Sequence, residues 1–345
     1  MGVTEAGGGA QRLPPASRLR RGVLAGGAIV LVAAAVFVTA SALASVPARL
    51  GMGCSRWVAV AAGLELLSAA GFVVAFKLSF ADGSEWAASS HIALRMLGAA
   101  TALPAGAVLA PALGAWITRA GRGRVRARAL AFLLLTNAPD IAALAAVGIA
   151  LRLHAVAGPR ATGLTVVPSA GAIALLAGVA MLPRLWRSPK ARRRRVLPFL
   201  PIRAALGLCE GIREAQALLR AGGWKLIGPV AYYAFDNAVL WAAFRALGHS
   251  PPVGILVMAY VIGQAGSLLP VPGGLGGVDA SLIGTLVVYG IALGPAAAAV
   301  LVYRAVSLSV PLALGVAAYI RPRRPLVLPS LASGLRGHSS SSECG

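Results

Sequence analysis

The chain has 345 residues, 58% hydrophobic and 12% charged, where a soluble globular domain carries roughly 25% charged residues. Its apolar residues fall into blocks of about 20 or more, the length that crosses a ~30 Å hydrocarbon core, which excludes a water-soluble globule. Lys plus Arg is 32 against 10 Asp plus Glu, a net charge of +22. These bases sit between the apolar blocks, so they read as topology signals facing anionic lipid headgroups and not as a nucleic-acid surface.

The expected fold is all-α: a polytopic helical membrane protein with about eight transmembrane segments, including Pro/Gly-broken or re-entrant helices. Residues 1–21 form a Gly- and Pro-rich tail ending in Arg18, Arg20 and Arg21, directly before the apolar block 22–46. The run Ser-Ala-Leu-Ala-Ser-Val-Pro-Ala at 41–48 resembles a signal cleavage site, but the apolar stretch before it is long for a signal peptide, which favours an uncleaved signal anchor. Single spans are predicted at 57–80, 129–153, 162–182, 224–247 and 295–320, within a membrane domain covering 22–320. Two apolar regions are interrupted: 91–117 around Pro104, and 253–291 around the glycine run 273–277.

Loop charge sets the orientation. Four arginines precede the first span, five lie in 119–128, ten basic residues in 184–220 and four after 320, whereas 47–56, 154–161 and 248–252 hold two, one and none. Both termini are therefore expected inside. A single crossing by 91–117 would put the arginines at 119–128 outside, so this region is predicted to be a re-entrant hairpin of two half-helices hinged near Pro104. The region 253–291 allows either a deep re-entrant hairpin or two short spans.

Between membrane segments, the basic loop 184–222 contains an amphipathic helix. Its apolar face carries Ala205, Leu208, Ile212, Ala215 and Leu219 at spacings of three and four. It either lies on an anionic leaflet or packs on the ends of the bundle. The segment 321–345 has the composition of a disordered cytoplasmic tail. Cys54, Cys209 and Cys344 are far apart and read as free thiols, and His91, His154, His249 and His338 are isolated, which supports neither a metal nor a histidine base.

Residues 259–282 read Ala-Tyr-Val-Ile-Gly-Gln-Ala-Gly-Ser-Leu-Leu-Pro-Val-Pro-Gly-Gly-Leu-Gly-Gly-Val-Asp-Ala-Ser-Leu, and Tyr303-Arg304 follows. A Pro-Gly-Gly-x-Gly turn, an acidic residue and a Tyr-Arg pair in the next helix resemble the transmembrane lysylphosphatidylglycerol synthase family. The similarity runs over about 203–324 and includes the helix start at Gly223-Trp224 and Asp236. Leu103-Pro104-Ala105-Gly106 is a weaker echo of the family's first proline-broken motif. Asp279 departs from the pattern, since the family more often has Glu there.

The resemblance implies a flippase-like membrane module, which in fused members moves an aminoacylated phospholipid after a separate soluble domain makes it. No such domain is recognisable in these 345 residues, so the aminoacyl-transfer activity is not carried over and no enzyme activity is expected. No cofactor is expected, and without Gly-Lys-Ser/Thr after the glycines there is no nucleotide loop.

The residues themselves suit a lipid-handling site. Paired broken helices are the best sequence pointer to a transporter site, and intramembrane charge is by default functional. The candidates are Pro272, Gly273, Gly274, Gly276 and Gly277, whose backbone could offer donors to a phosphate, together with Asp279, Tyr303, Arg304, Gln264, Asp236, Pro104 and Arg95. Asp279 and Arg304 either pair across neighbouring helices, or Arg304 binds a lipid phosphate while Asp279 meets a cationic headgroup or carries a proton. A tight turn with glycines for packing remains the alternative for 272–277. Asp236 with Asn237, Asp140 with Asn137, and Gln264 either line a hydrophilic groove or, the favoured reading, make interhelical hydrogen bonds. Lys77 and Arg245 are expected to snorkel, and Arg95, near a half-helix start, either joins the site or does the same.

The leading expectation is a bacterial plasma-membrane protein that translocates a phospholipid, aminoacylated or not, or a polyprenyl-linked lipid. Anionic phospholipid headgroups are its expected partners, with a homo-oligomer or a cytoplasmic enzyme as candidate protein partners. The alternative is a non-catalytic scaffold for a lipid-modifying or glycosyl-transferring enzyme, docked on Arg192 to Arg195 and the helix that follows.

Overall fold

The structure, a computed structural model, describes residues 52–80, 85–102, 122–153, 162–185, 202–221, 223–264, 266 and 276–320. The expected tails, the span 22–46, Pro104, Arg192 to Arg195, and Pro272, Gly273 and Gly274 lie outside these residues. Among the described residues every regular element is helical: α1 (Met52–Phe80), α2 (Trp86–Ala102), α3 (Arg122–Arg152), α4 (Thr162–Leu185), α5 (Ile202–Ala221), a 3-10 turn (Gly223–Leu226), α6 (Ile227–Ala246), α7 (Val253–Gln264), α8 (Gly277–Val288) and α9 (Leu293–Ile320).

Helices α1, α3, α4 and α9 each contain a stretch long and apolar enough to cross a membrane. The chain is a polytopic helical membrane protein. Helix α6 has 20 residues, about 30 Å at 1.5 Å per residue, but Asp236 and Asn237 interrupt its middle.

The bundle is held at close range by small residues, as expected where lipid offers no hydrophobic force between helices. One close seam joins α1 and α6. A Cβ added at Gly71 would lie 2.5 Å from the Tyr232 amide nitrogen, and one at Gly228 would lie 2.8 Å from that of Ala75. Ser68 Oγ donates to the Tyr232 carbonyl across this seam at 3.0 Å. Helices α2 and α9 meet the same way, since a Cβ on Gly98 would fall 2.8 Å from Gly315 Cα.

Side-chain contacts sort the helix ends into two groups. At one end Leu78 of α1, Ala131 of α3, Ala215 of α5 and Leu226 form one apolar cluster. There too Trp86 of α2 stacks on Trp224 with ring centroids 6.0 Å apart. At the opposite end Trp57 of α1 meets Trp241 of α6 edge to face at 5.2 Å. The expected snorkelling cations lie at these ends but are covered by rings: Lys77 Nζ sits 4.6 Å from the Trp86 ring, and Arg245 lies 5.1 Å from Trp57 and 5.7 Å from Trp241.

The amphipathic helix α5 packs on the bundle. Its Glu214 pairs with Arg128 of α3 at 3.5 Å, and Gln216 donates to the Ala180 carbonyl of α4 at 3.0 Å. Cys209, Ile212 and Ala215 are buried, whereas Leu219 is exposed. The inward face is thus rotated toward Cys209, because Gly211 lets the backbone approach Leu130. The Ala205 side chain lies outside the described part.

The second broken region forms a hairpin. Helices α7 and α8 have 12 residues each, about 18 Å, which is too short to cross a ~30 Å core. They run antiparallel: a Cβ on Gly263 would meet Leu282 at 3.0 Å, and one on Gly266 would meet the Gly277 carbonyl oxygen at 2.2 Å. The feet of the hairpin join α6 and α9 through turns containing the positive-φ residues Gly248 and Gly290. Both feet therefore stand at the Trp57/Trp241 end, with Gln264 and Gly277 at the inward ends of the two helices. Helix α2 starts from the opposite end and has 17 residues, longer than the half-helix expected from the sequence. Any return limb falls outside the described residues.

Candidate functional site

On α6, Tyr232, Tyr233, Asp236 and Asn237 are spaced at i, i+1, i+4 and i+5, which places them on one side of the helix. Asp236 is the hub. Its carboxylate accepts hydrogen bonds from the Tyr260 hydroxyl of α7 and from the Tyr303 hydroxyl of α9, the latter at 3.2 Å. The interhelical role expected for Asp236 is present. The Tyr260 ring also stands edge to face with Tyr233, centroids 5.7 Å apart, and with Tyr303 at 6.3 Å.

Two more carboxyl groups converge on this hub. Glu65 of α1 and Asp140 of α3 are both near enough to Asp236 to interact with it electrostatically. Glu65 is 5% exposed, and its Oε2 has no hydrogen-bond partner among the described residues. Asp140 follows Pro139, which removes an N–H from the α3 ladder beside the cluster. The companion asparagines behave differently from expectation. Asn137 donates back to the Leu133 carbonyl of its own helix at 2.8 Å, and the buried Asn237 Nδ2 has no partner among the described residues.

Asp279 and Arg304 join at the hairpin tip. Asp279 Oδ1 accepts from Arg304 Nε–H at 2.5 Å, and its Oδ2 accepts the Gly276 N–H at 2.9 Å. One carboxylate thus caps α8 and holds the cation of α9. Gly276, with φ of 80°, adopts a backbone conformation that a side chain would strain. The positive end of the α8 dipole stabilises the same carboxylate. The pair keeps some access, with side chains 13% and 23% exposed for Arg304 and Asp279. Arg304 also interacts with Asp236, so the tip and the hub form one polar region.

This region lies near mid-depth. Arg304 is the twelfth of 28 residues in α9, Asp236 the tenth of 20 in α6, and Glu65 the fourteenth of 29 in α1. Of the residues singled out by sequence, Asp236, Tyr303, Arg304, Asp279 and the capping Gly276 and Gly277 come together. Gln264 ends α7, where the chain turns toward the tip. Arg95 does not join them: its Nε–H donates to the Ala318 carbonyl at 2.8 Å, about 21 Å along α9 from Arg304.

A sequence model of the family described as Lysylphosphatidylglycerol synthase TM region matches residues 23–315. The chain belongs to this family. A comparison with curated proteins finds no match. The lysylphosphatidylglycerol synthase transmembrane-region match takes in α1 to α8 and most of α9, well beyond the C-terminal segment that carries the resemblance most strongly. In this family member the sequence missed Tyr233 and Tyr260 as parts of the site, and it could not place Glu65 and Asp140 relative to Asp236. Tyr233 was within reach of a spacing argument, being three residues before Asp236 on the same helical side. The others depend on which helices become neighbours.

Proposed function

We propose that the chain translocates a phospholipid or polyprenyl-phosphate-linked lipid across the plasma membrane, the headgroup passing through the polar region at the hairpin tip while the acyl chains stay in lipid. The observation that carries this reading is the partly accessible Arg304–Asp279 pair at mid-depth, on a hairpin too short to serve as a span. Irregular backbone at that depth is tolerated where it is buried in protein or lines a cavity, and paired short segments are the signature of a transport site. Membership of a lipid-related membrane family supports the same substrate class.

In this reading Arg304 takes the lipid phosphate, as guanidinium groups do through parallel N–H donors. Asp279 then holds the cation in place between substrates and faces a cationic headgroup where there is one. The protein performs no covalent chemistry, needs no cofactor and takes its partners from anionic phospholipids. The end bearing Arg128, Arg184, Arg213 and Arg220 faces the cytoplasm, with both termini on that side. The strong excess of Arg over Lys and the Ala- and Gly-rich composition support a bacterial plasma membrane.

The test is transfer of labelled phosphatidylglycerol between leaflets of reconstituted vesicles. Wild type is expected to transfer it, and Arg304→Ala and Asp279→Ala, checked for folding by thermal unfolding in detergent, are expected to lose most of the rate. Full transfer by both folded variants would sink the site assignment.

A further inference from the structure

Among the described residues, the hub gathers more carboxyl groups than cations. Glu65, Asp140, Asp236 and Asp279 lie near one another through Asp236 and Arg304, while Arg304 is the cation among them. Asp236 has contacts that favour its charge against the cost of enclosure, since two phenol hydroxyls donate to it and Arg304 lies near. Glu65 has none of these. It is buried, Asp236 is its neighbour, and its Oε2 meets no donor among the described residues. Two further buried groups beside the cluster, the Tyr233 hydroxyl and Asn237 Nδ2, also have no partner among the described residues.

A carboxylate enclosed this way is costly to keep charged, and adjacent carboxyls relieve the cost by sharing a proton. A proton on Glu65 removes its charge and converts it into a donor with Asp236 as acceptor. A metal ion fits less well, because among the described residues no three acidic, His or Cys side chains are grouped to hold one.

Glu65 interacts with Asp236 and Tyr232 of α6 and with Tyr303 of α9; Asp236 in turn faces Asp140 of α3, Tyr260 of α7 and Arg304 of α9, with Asp279 of α8 behind Arg304. From α2, Arg95 is engaged at Ala318, toward the end of the bundle.

We propose that Glu65 carries the proton of a site shared with Asp236, and that this proton binds together with an anionic headgroup at Arg304. The second half rests on the lipid reading above. A phosphate at Arg304 takes up the positive charge that Asp236 otherwise sees, so the carboxyl cluster then favours holding a proton. By linkage, a bound proton strengthens headgroup binding by the same factor. Each cycle breaks one O–H bond at Glu65, gives the proton to water on the releasing side, and takes one from water on the loading side.

Infrared spectroscopy of the full chain in phosphatidylglycerol vesicles reads the proton site by itself. Wild type is expected to show a protonated-carboxyl band at neutral pH that Glu65→Gln removes and Glu65→Asp keeps at a shifted frequency. Absence of a Glu65-dependent band would overturn the proton site. Transfer of labelled phosphatidylglycerol reads the linkage: a proton gradient is expected to change the wild-type rate severalfold and to leave the residual rate of Glu65→Gln unaffected. A wild-type rate that ignores the gradient, or follows a sodium gradient instead, overturns the linkage. No transfer by wild type at all would remove the lipid reading, while the Glu65 band would still decide the proton site.

Discussion

Two arginines touch the last helix, and the protein treats them in opposite ways. Arg304, halfway along α9, is matched by the carboxylate of Asp279 from the hairpin tip. Arg95 reaches α9 near its end, where it meets a backbone carbonyl and the exposed ring of Tyr319, the ring lying 5.6 Å from the guanidinium. Depth explains the difference. A cation at mid-bundle needs an opposite charge, because water is far away and the local dielectric is low. Near the end the same side chain can lean out along an apolar stem. The comparison separates a charge the fold has been built around from one the fold merely accommodates.

The strongest test of that contrast is Arg304→Ala, which leaves Asp279 without its cation. Loss of one partner of a buried pair is expected to cost about 3–5 kcal/mol, read as a lower unfolding temperature in mild detergent. The exchange Asp279→Arg with Arg304→Asp should recover part of this, but not all, since an arginine cannot accept the Gly276 N–H. Full recovery would show that capping of α8 contributes nothing. Next comes Gly98→Leu, which forces α2 and α9 apart where backbone meets backbone and is expected to cost about 1–3 kcal/mol. Since that contact lies beside Arg95, the Arg95 to Ala318 bond should be lost with it.

Arg95→Ala is expected to be milder, about 1 kcal/mol for one hydrogen bond to a carbonyl, with lipid transfer close to wild type. A loss as large as that of Arg304→Ala would break the comparison. The smallest effect concerns the end of the bundle under α5. Cys209 is buried there, and this burial pushes its thiol above the usual range. A thiol with a raised value stays protonated at neutral pH, and only the thiolate is nucleophilic. Maleimide labelling of Cys209 should therefore be slow in the folded protein, accelerate as the pH becomes alkaline, and become fast on unfolding.

The sequence made some of this legible and hid the rest for physical reasons. The long spans are visible because a run of apolar residues is a one-dimensional property, and the hairpin because prolines and glycines interrupt one. Asp279 and Arg304 stood out as charges in apolar surroundings, and their pairing was one of two readings open. What the sequence could not say is that α1 and α3 bring Glu65 and Asp140 each to Asp236 of α6. That depends on helix rotation and on the close approach at Gly71 and Gly228, which no local pattern encodes. Arg95 was open to two readings, site residue or snorkelling side chain, for the same reason: residue type shows the charge, and only packing shows its depth. The apolar side of α5 holds at Ile212 and Ala215, while Cys209 is buried beside them and Leu219 is exposed, because Gly211 allows the backbone itself to form the contact.

The brevity of α7 and α8 also bears on how the chain is assembled in the membrane. A helix of 12 residues is shorter than a membrane span. The inward end of the hairpin carries Asp279, whose cation arrives only with α9, synthesised later. The hairpin must therefore wait at the surface or within the insertion machinery until α9 has emerged, and then seat as one unit with it. Biogenesis of this protein ends with the closing of its own polar centre, and a nascent chain stopped before Arg304 should leave 253–291 accessible to water-soluble reagents.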